Sequence, residues 1–216
     1  MLTKLAPGAM GQLRPKPAQG DGPPKIALPE PDRSGGLPLM QAMAQRRSMR
    51  EFSARTIPLP MLASLLWAAN GINRADGRRT APSALNVQEI DIYVALPSGA
   101  YLHDAAANAL QLAAGGDVRR VTGYQDFVDR APLDLVYVAD HSRMKLVPVA
   151  QRESFASVAA GAITQNVYLF AASNGLATVI RAWIDRDAIA NALGLSHDQQ
   201  VLLSQTVGFP KDRPLQ

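Results

Sequence analysis

The sequence predicts an α+β fold: one domain in which helices and strands are mixed without strict β-α-β repetition. Three observations carry this reading. Residues 133–139 (LDLVYVA) form a short apolar run rich in valine and leucine, the pattern of a buried strand. Residues 151–174 repeat Phe155, Val158, Ala159, Ala162, Ile163, Val167 and Phe170 at three- and four-residue steps and stop at Asn174-Gly175, the pattern of a long helix. Between Leu37 and Phe209, segments of helical and strand period follow one another with turn signals between them.

Taken in order, residues 1–37 hold seven of the sixteen prolines and six of the sixteen glycines, with almost no apolar periodicity. Such a segment cannot bury enough surface to fold alone, so residues 1–36 are expected to be a disordered tail or an extended arm on another surface. The folded domain is expected over 37–216, with order beginning at Leu37. Pro38 to Arg47 reads as a short helix with Leu39, Met40 and Met43 on its apolar side. Leu59 to Ala69 reads as a second, with Pro60 near its start and Asn70-Gly71 as its stop. Glu89 to Ala95 alternates like a strand. Gly99 to His103 and Ala109 to Leu112 suit a hairpin, although the alanines at 105–107 also suit a helix. Gly123 to Arg130 reads as a helix ended by Ala131-Pro132. After the long helix, Leu176 to Trp183 is β-like, Arg186 to Leu193 is helical and ends at Gly194, and Val201 to Phe209 is a last strand.

Composition removes several classes of function. The chain has 216 residues and a formal charge of +4, but its basic residues form no long block and accompany no nucleic-acid-binding motif. Without cysteine there are no disulfides, thiolate nucleophiles, Cys-ligated zinc or iron–sulfur clusters. The histidines, His103, His141 and His197, lie far apart with no ligand spacing, so no metal is expected. No uninterrupted apolar run reaches the ~20 residues of a membrane span. Dinucleotide-binding, P-loop, nucleophile-elbow and kinase motifs are absent from the sequence.

Four segments could carry chemistry. Arg46-Arg47-Ser48-Met49-Arg50 gathers three guanidiniums and a hydroxyl, which match phosphate oxygens; in isolation it also reads as a solvated basic turn. The loop 79–88 sets Pro82, Ser83, Ala84 and Asn86 before a strand, where backbone and amide groups can meet a polar ring edge or simply begin the strand. In the stretch 175–183, small Ala182 would let a ligand approach backbone N–H groups, while Trp183 by itself reads as core. Lys211 and Arg213 follow the last strand.

In their order and spacing, the pieces QRRSMREFS, SLLWAANGINR, RTAPSALNVQEIDIYVAL, GAYLHDAAANALQL, TGYQDFVDRAPLDLVYVAD, AGAITQNVYLFAASNGLATV and QTVGFPK resemble the nitroreductase superfamily, and most of all its SagB-type, thiazoline-oxidase-like branch. The resemblance runs from about Leu37 to Lys211. It implies a central, mostly antiparallel sheet flanked by helices, an intertwined homodimer, and FMN at the subunit interface. By position, Arg46, Ser48 and Arg50, with Arg47 alongside, resemble the family's phosphate and ribityl contacts. Pro82, Ser83, Ala84 and Asn86 match the loop that reaches the flavin from the partner subunit, and Gln125 matches a polar contact. Arg181 and Ala182 fall where backbone N–H groups approach flavin N5, and Lys211 and Arg213 match cations near the phosphate. Two departures stand out: relatives often carry an acidic-glycine pair where this chain has Arg181-Ala182, and the Lys-Tyr pair of azoline-oxidising members is missing.

The resemblance therefore implies an FMN-dependent oxidoreductase. NADH or NADPH would reduce the flavin, and an electron-poor acceptor such as a nitroaromatic or quinone would take the electrons in ping-pong turnover. No catalytic side chain is expected, because the flavin carries the chemistry. The alternatives are a SagB-type dehydrogenase oxidising another substrate without NAD(P)H, and a flavin-binding module with little turnover. Nucleic acid is not an expected partner. The chain as written reads as cytoplasmic, and as periplasmic if an export signal preceded the Pro-rich stretch KIALPEPDRSGG.

Overall fold

In a computed structural model that describes residues 22–211, the apolar run LDLVYVA becomes β5 (Leu133–Asp140), near the middle of a seven-stranded sheet. The other strands are β1 (Lys25–Ala27), β2 (Ile90–Leu96), β3 (Gly99–Asp104), β4 (Ala109–Gly115), β6 (Ala177–Arg181) and β7 (Gln199–Gly208). Their order is β1-β4-β3-β2-β5-β7-β6, and every pairing is antiparallel. The register sets Tyr93 opposite Val136, Leu133 opposite Val207 and Val179 opposite Thr206.

Successive side chains of a strand point to opposite faces, and both faces of β5 are covered. Leu133, Leu135 and Tyr137 pack beneath α2 (Leu59–Asn70) and α3 (Val149–Ser173). Val136 and Val138 meet Ile189 and Leu193 of α4 (Arg186–Leu193) on the other face. That is why the run is apolar throughout rather than alternating. Proline at the start opens α2, which suits a position whose N–H has no helical partner. For α4, the Asp185 carboxylate accepts the Ala188 N–H at one end, and Gly194 closes the other at φ 65°, a conformation glycine adopts without strain.

The helix α3 is long and apolar enough to cross a bilayer by length and composition, but it packs on the sheet as a core helix. Its sheet-facing side is Ala156, Ala159, Ala160, Ile163, Val167 and Ala171, four alanines that permit close approach around two branched side chains. The sequence periodicity assigned Phe155 and Val158 to the packed side, yet both are exposed, Val158 by 72%. The same correction applies to α1 (Leu39–Gln45), where Ala42 is buried while Leu39, Met40 and Met43 face outward. At these positions alanine takes the inner face, Ala42 in α1 and Ala156 and Ala160 in α3, and the larger apolar neighbours fall outside.

Three further expectations change. The ordered sheet begins before Leu37, because β1 lies within the Pro- and Gly-rich stretch and pairs with β4, followed by the buried Leu28. Residues 123–130 form turns instead of a helix: Gly123 is extended, and Phe127 and Val128 are drawn into a small core with Ala177 and Val179. The β-like stretch expected over Leu176 to Trp183 stops at Arg181, leaving Trp183 56% exposed where the sequence favoured core. Arg213 lies outside the described residues.

Candidate functional site

At the end of the sheet, β6 pairs with β7 on one side only. In an antiparallel ladder, backbone groups of alternate residues point away from the neighbour, here those of 178, 180 and 182. The Thr178 carbonyl accepts the Met49 N–H at 2.9 Å. The Ile180 N–H donates to the Tyr168 hydroxyl at 3.0 Å, and that hydroxyl lies 2.8 Å from Ser48 Oγ. The Ala182 N–H is next on this edge; among the described residues it has no partner, and Ala182 is exposed.

This edge collects the predicted cations. Helix α1 ends at Gln45, and residues 46–50 leave it as irregular chain, tied to β6 through the Met49 N–H, rather than continuing the helix. The Arg46 guanidinium lies 5.2 Å from the Tyr168 ring centre, a cation–π contact. Beyond Arg50, Phe52 bridges Pro210, and the Lys211 N–H donates to the Glu51 carbonyl at 3.1 Å. Lys211 is thereby carried to the arginine cluster from the other end of the sequence. Beside the first two arginines is a cavity of about 410 Å³ lined by Arg46, Arg47, Met49, Tyr168, Gly175 and Thr178; Ser48, Arg50 and Lys211 are not part of its lining.

Arg181 is placed differently from Ala182. Its residue pairs with Ser204, so its N–H faces β7, and of these two residues Ala182 presents the outward donor. The Arg181 guanidinium is buried, with Nη2 2.7 Å from Asp134 Oδ1 and 3.4 Å from Thr122 Oγ1. The Thr206 hydroxyl also donates to Asp134. Burial pushes the Asp134 carboxyl up from its ordinary range, against the pull of Arg181. A side chain on Gly123 would collide with Arg181 Nη1, so this glycine is what lets the guanidinium pass beneath the 123–128 loop. Gln125 lies over the same place: Gln125 Oε1 and Arg181 Nη1 are both buried and unpaired, each close to the point a Gly123 Cβ would occupy. The loop also brings Tyr124 against Trp183, with ring centres 5.5 Å apart.

The loop of Pro82, Ser83, Ala84 and Asn86 is not brought to this edge. It leads into β2, and β5 and β7 stand between β2 and β6. Leu85 and Asn86 (both φ 54°) and Gln88 (φ 51°) all adopt left-handed backbone, which costs non-glycine residues energy and clusters at functional sites. The loop is held by Ser83 Oγ, which accepts the Gln88 N–H at 3.0 Å, and by the Arg79–Gln88 side-chain bond at 2.8 Å. Its tip, Leu85, is 68% exposed. Beneath the loop Glu89 is fully buried with both carboxylate oxygens unpaired, and burial raises its pKa.

The sequence reading missed Tyr168, Asp134 and the Tyr124–Trp183 pair. A lone aspartate within LDLVYVA was the available signal for Asp134, since a charge in a buried strand needs a partner. Tyr168 gave none, being one more large residue in an apolar helix.

The nitroreductase family model matches residues 43–209, which spans the cation cluster, the strained loop and the β6 edge. The chain belongs to the nitroreductase family. Among solved structures, this nitroreductase-family chain is similar to a provisionally named nitroreductase from Ralstonia eutropha, 48% identical with a TM-score of 0.87, over 92% of this chain and 95% of that one. It is 28% identical to a provisionally named nitroreductase of Methanocaldococcus jannaschii over 76% of this chain and 86% of the relative. The fold is shared with an NADPH:FMN oxidoreductase from Vibrio harveyi complexed with NAD+, at 22% identity and a TM-score of 0.59, covering 82% of this chain and 70% of that one.

Proposed function

We propose that this nitroreductase-family protein is an FMN-dependent oxidoreductase, reduced by NADH or NADPH and reoxidised by an electron-poor acceptor in ping-pong turnover. The observation that carries the reading is the β6 edge, where one N–H without a partner among the described residues, that of Ala182, lies on the same strand edge as a cluster of cations. These donors fit the cofactor. Arg46, Arg47 and Arg50 with Ser48 and Lys211 suit a phosphate, and an outward backbone N–H suits a ring nitrogen. The chemistry FMN supplies when bound is two-electron hydride exchange.

The chain's own residues then have distinct tasks. The cations hold the phosphate end. Tyr168 fixes Ser48 against β6 through its hydroxyl, which keeps cluster and edge in register. Ala182 directs a donor at the ring edge, and its lack of a side chain beyond Cβ leaves that edge accessible. Hydride exchange requires no acid or base from the protein, so the lack of a catalytic histidine at this edge is compatible with it.

The site is completed in this reading by a second copy of the chain. The loop 82–86 is separated from its own β6 edge by two strands, while its strained backbone and exposed Leu85 suit a segment that reaches into another subunit. The outward apolar faces of α1 and α3 supply surface for such a homodimer. The Vibrio relative's description as an NADPH:FMN oxidoreductase supports the choice of cofactors. Anaerobic mixing of the FMN-loaded protein with NADH or NADPH tests the proposal. Rapid bleaching of flavin absorbance, followed by recovery on adding a nitroaromatic, is the expected result. A flavin that stays oxidised with both donors would overturn it.

A further inference from the structure

The turn between β3 and β4 borders a cavity of about 420 Å³ that takes no part in the site described above. Arg33, Trp67, Asn73, Arg74, His103 and Asn108 are among the residues that line it. In the sheet β2, β5 and β7 stand between β3 and β6, so within one chain this cavity lies away from the cation cluster. Its volume falls in the range of small-molecule sites, roughly 300–1,000 Å³.

The walls are held by their own hydrogen bonds. Asp104 Oδ1 accepts the Ala106 and Ala107 N–H groups, which sets the turn. Asn108 Nδ2 donates to the Leu28 and Pro29 carbonyls at 3.0 and 3.1 Å, tying the segment before Arg33 to that turn. On the α2 side, the Trp67 indole N–H donates to the Ile72 carbonyl at 3.0 Å. Arg74 donates from Nε to Asn73 Oδ1 and from Nη2 to the Arg79 carbonyl, both at 3.0 Å.

The groups left over are mostly donors. Arg74 Nη1 and the Asn73 amide nitrogen have no partner among the described residues. Arg33 lies 5.4 Å from the Trp67 ring centre and meets Glu30 only at 3.7 Å in the open, where solvent makes such a pair weak. Neither ring nitrogen of His103 has a hydrogen bond among the described residues. Burial, and then the Arg79 charge, lower its pKa to about 4, so near neutral pH the ring offers one N–H. Around it Arg33, Arg74 and Arg79 are positive, against Glu30 and Asp104. Asp104 is engaged by the turn, and the Glu30 side chain is 87% exposed. A cavity with spare donors and surplus positive charge suits a ligand rich in acceptors.

We propose that this cavity binds a small oxyanion, a carboxylate or a phosphate ester, at a place separate from the FMN phosphate. Arg33 and Arg74 supply the charge-assisted contacts, and the Asn73 amide and the His103 N–H the neutral ones. An anion here also favours the charged imidazole, so His103 reports occupancy directly. The inference does not rest on the flavin reading.

The test follows the histidine imidazole signals by NMR in the FMN-loaded full chain, with that of His103 assigned from H103Q. Glycerol 3-phosphate and succinate are the probes, and glycerol and succinamide are their uncharged counterparts. One or both anions should shift the His103 signal saturably, the tighter of the two giving the ligand class, while the uncharged compounds shift nothing. R33A and R74A should each weaken binding by about tenfold or more, the loss expected for one charge-assisted hydrogen bond, and leave FMN affinity within twofold of the parent. An unmoved His103 signal with both anions, an equal shift from chloride at the same ionic strength, or undiminished affinity in either arginine variant would overturn the proposal. The protein without FMN should give the same shift. If it takes up no flavin yet responds at His103, the flavin reading fails and the oxyanion site stands.

Discussion

The hydroxyls of Ser48 and Tyr168 meet at 2.8 Å, and the Tyr168 oxygen also accepts the Ile180 N–H at 3.0 Å. One side-chain oxygen on the core helix thereby joins the arginine-bearing segment to the free edge of the sheet. Replacing Tyr168 with phenylalanine keeps the ring beneath Arg46 and removes only this link. FMN affinity should fall five- to tenfold, about 1 kcal/mol for a lost hydrogen bond, with a small drop in Tm. Flavin titration by fluorescence, alongside a melting curve, checks both parts.

In the proposed reading the cluster holds the cofactor and does not shape the fold. Arg46, half-buried, and Arg50, exposed, make no ion pair among the described residues. The double variant R46A/R50A should therefore lose FMN affinity by ~100-fold or more, the order expected when two charge-assisted contacts at 1.5–3 kcal/mol each are removed. Its circular dichroism should match the parent. Undiminished FMN affinity would show that the phosphate lies elsewhere.

The Asp134–Arg181 pair has the opposite balance, because both partners are buried. D134A leaves a guanidinium in the core without its counter-charge, at a cost of about 3–5 kcal/mol. For a domain of this size the melting temperature should fall on the order of 10 °C. D134N keeps an acceptor for Arg181 and Thr206, so its loss should be smaller. Thermal denaturation of the two variants in parallel gives the comparison, and equal losses would contradict any contribution from the retained acceptor.

Burial, aided by the nearby Arg79 charge, lowers the His103 pKa from 6.5 to about 4. The unfolded chain therefore takes up this proton at higher pH than the folded one. His103 contributes its full share of stability above pH 6.5; that share declines as pH falls from 6.5 towards 4, and is absent below. The H103Q variant should lack this decline. Melting temperatures of both proteins between pH 4 and 8 should converge at the acid end, relative to their separation at pH 8. A constant separation would contradict the assignment.

How much of this could be read from the sequence depends on whether a property is local. LDLVYVA and the 186–193 helix with its Gly194 stop were legible because strand hydrophobicity and capping are written within a few residues. The inner face of α3 was legible only in part: Ala159, Ile163 and Val167 of the predicted stripe are buried, but Phe155 and Val158 fall outside while Ala156 and Ala160 take the inner positions, which hydrophobicity alone did not distinguish. The turns at 123–130 escaped for a similar reason, since they are shaped by a guanidinium that arrives from residue 181. In the candidate site, the types and order of Arg46, Ser48, Arg50 and Ala182 were visible. The contacts that bring them together, through Tyr168 and the 209–211 segment, lie far along the chain and leave no local pattern.

The most direct test of the central claim is a two-step absorbance measurement on the purified protein. Added FMN should bind in the micromolar range or tighter and survive desalting as a yellow complex. Anaerobic NADH or NADPH should then bleach it within the time of turnover. A protein that stays colourless after desalting, or a bound flavin that neither nucleotide reduces, would contradict the account.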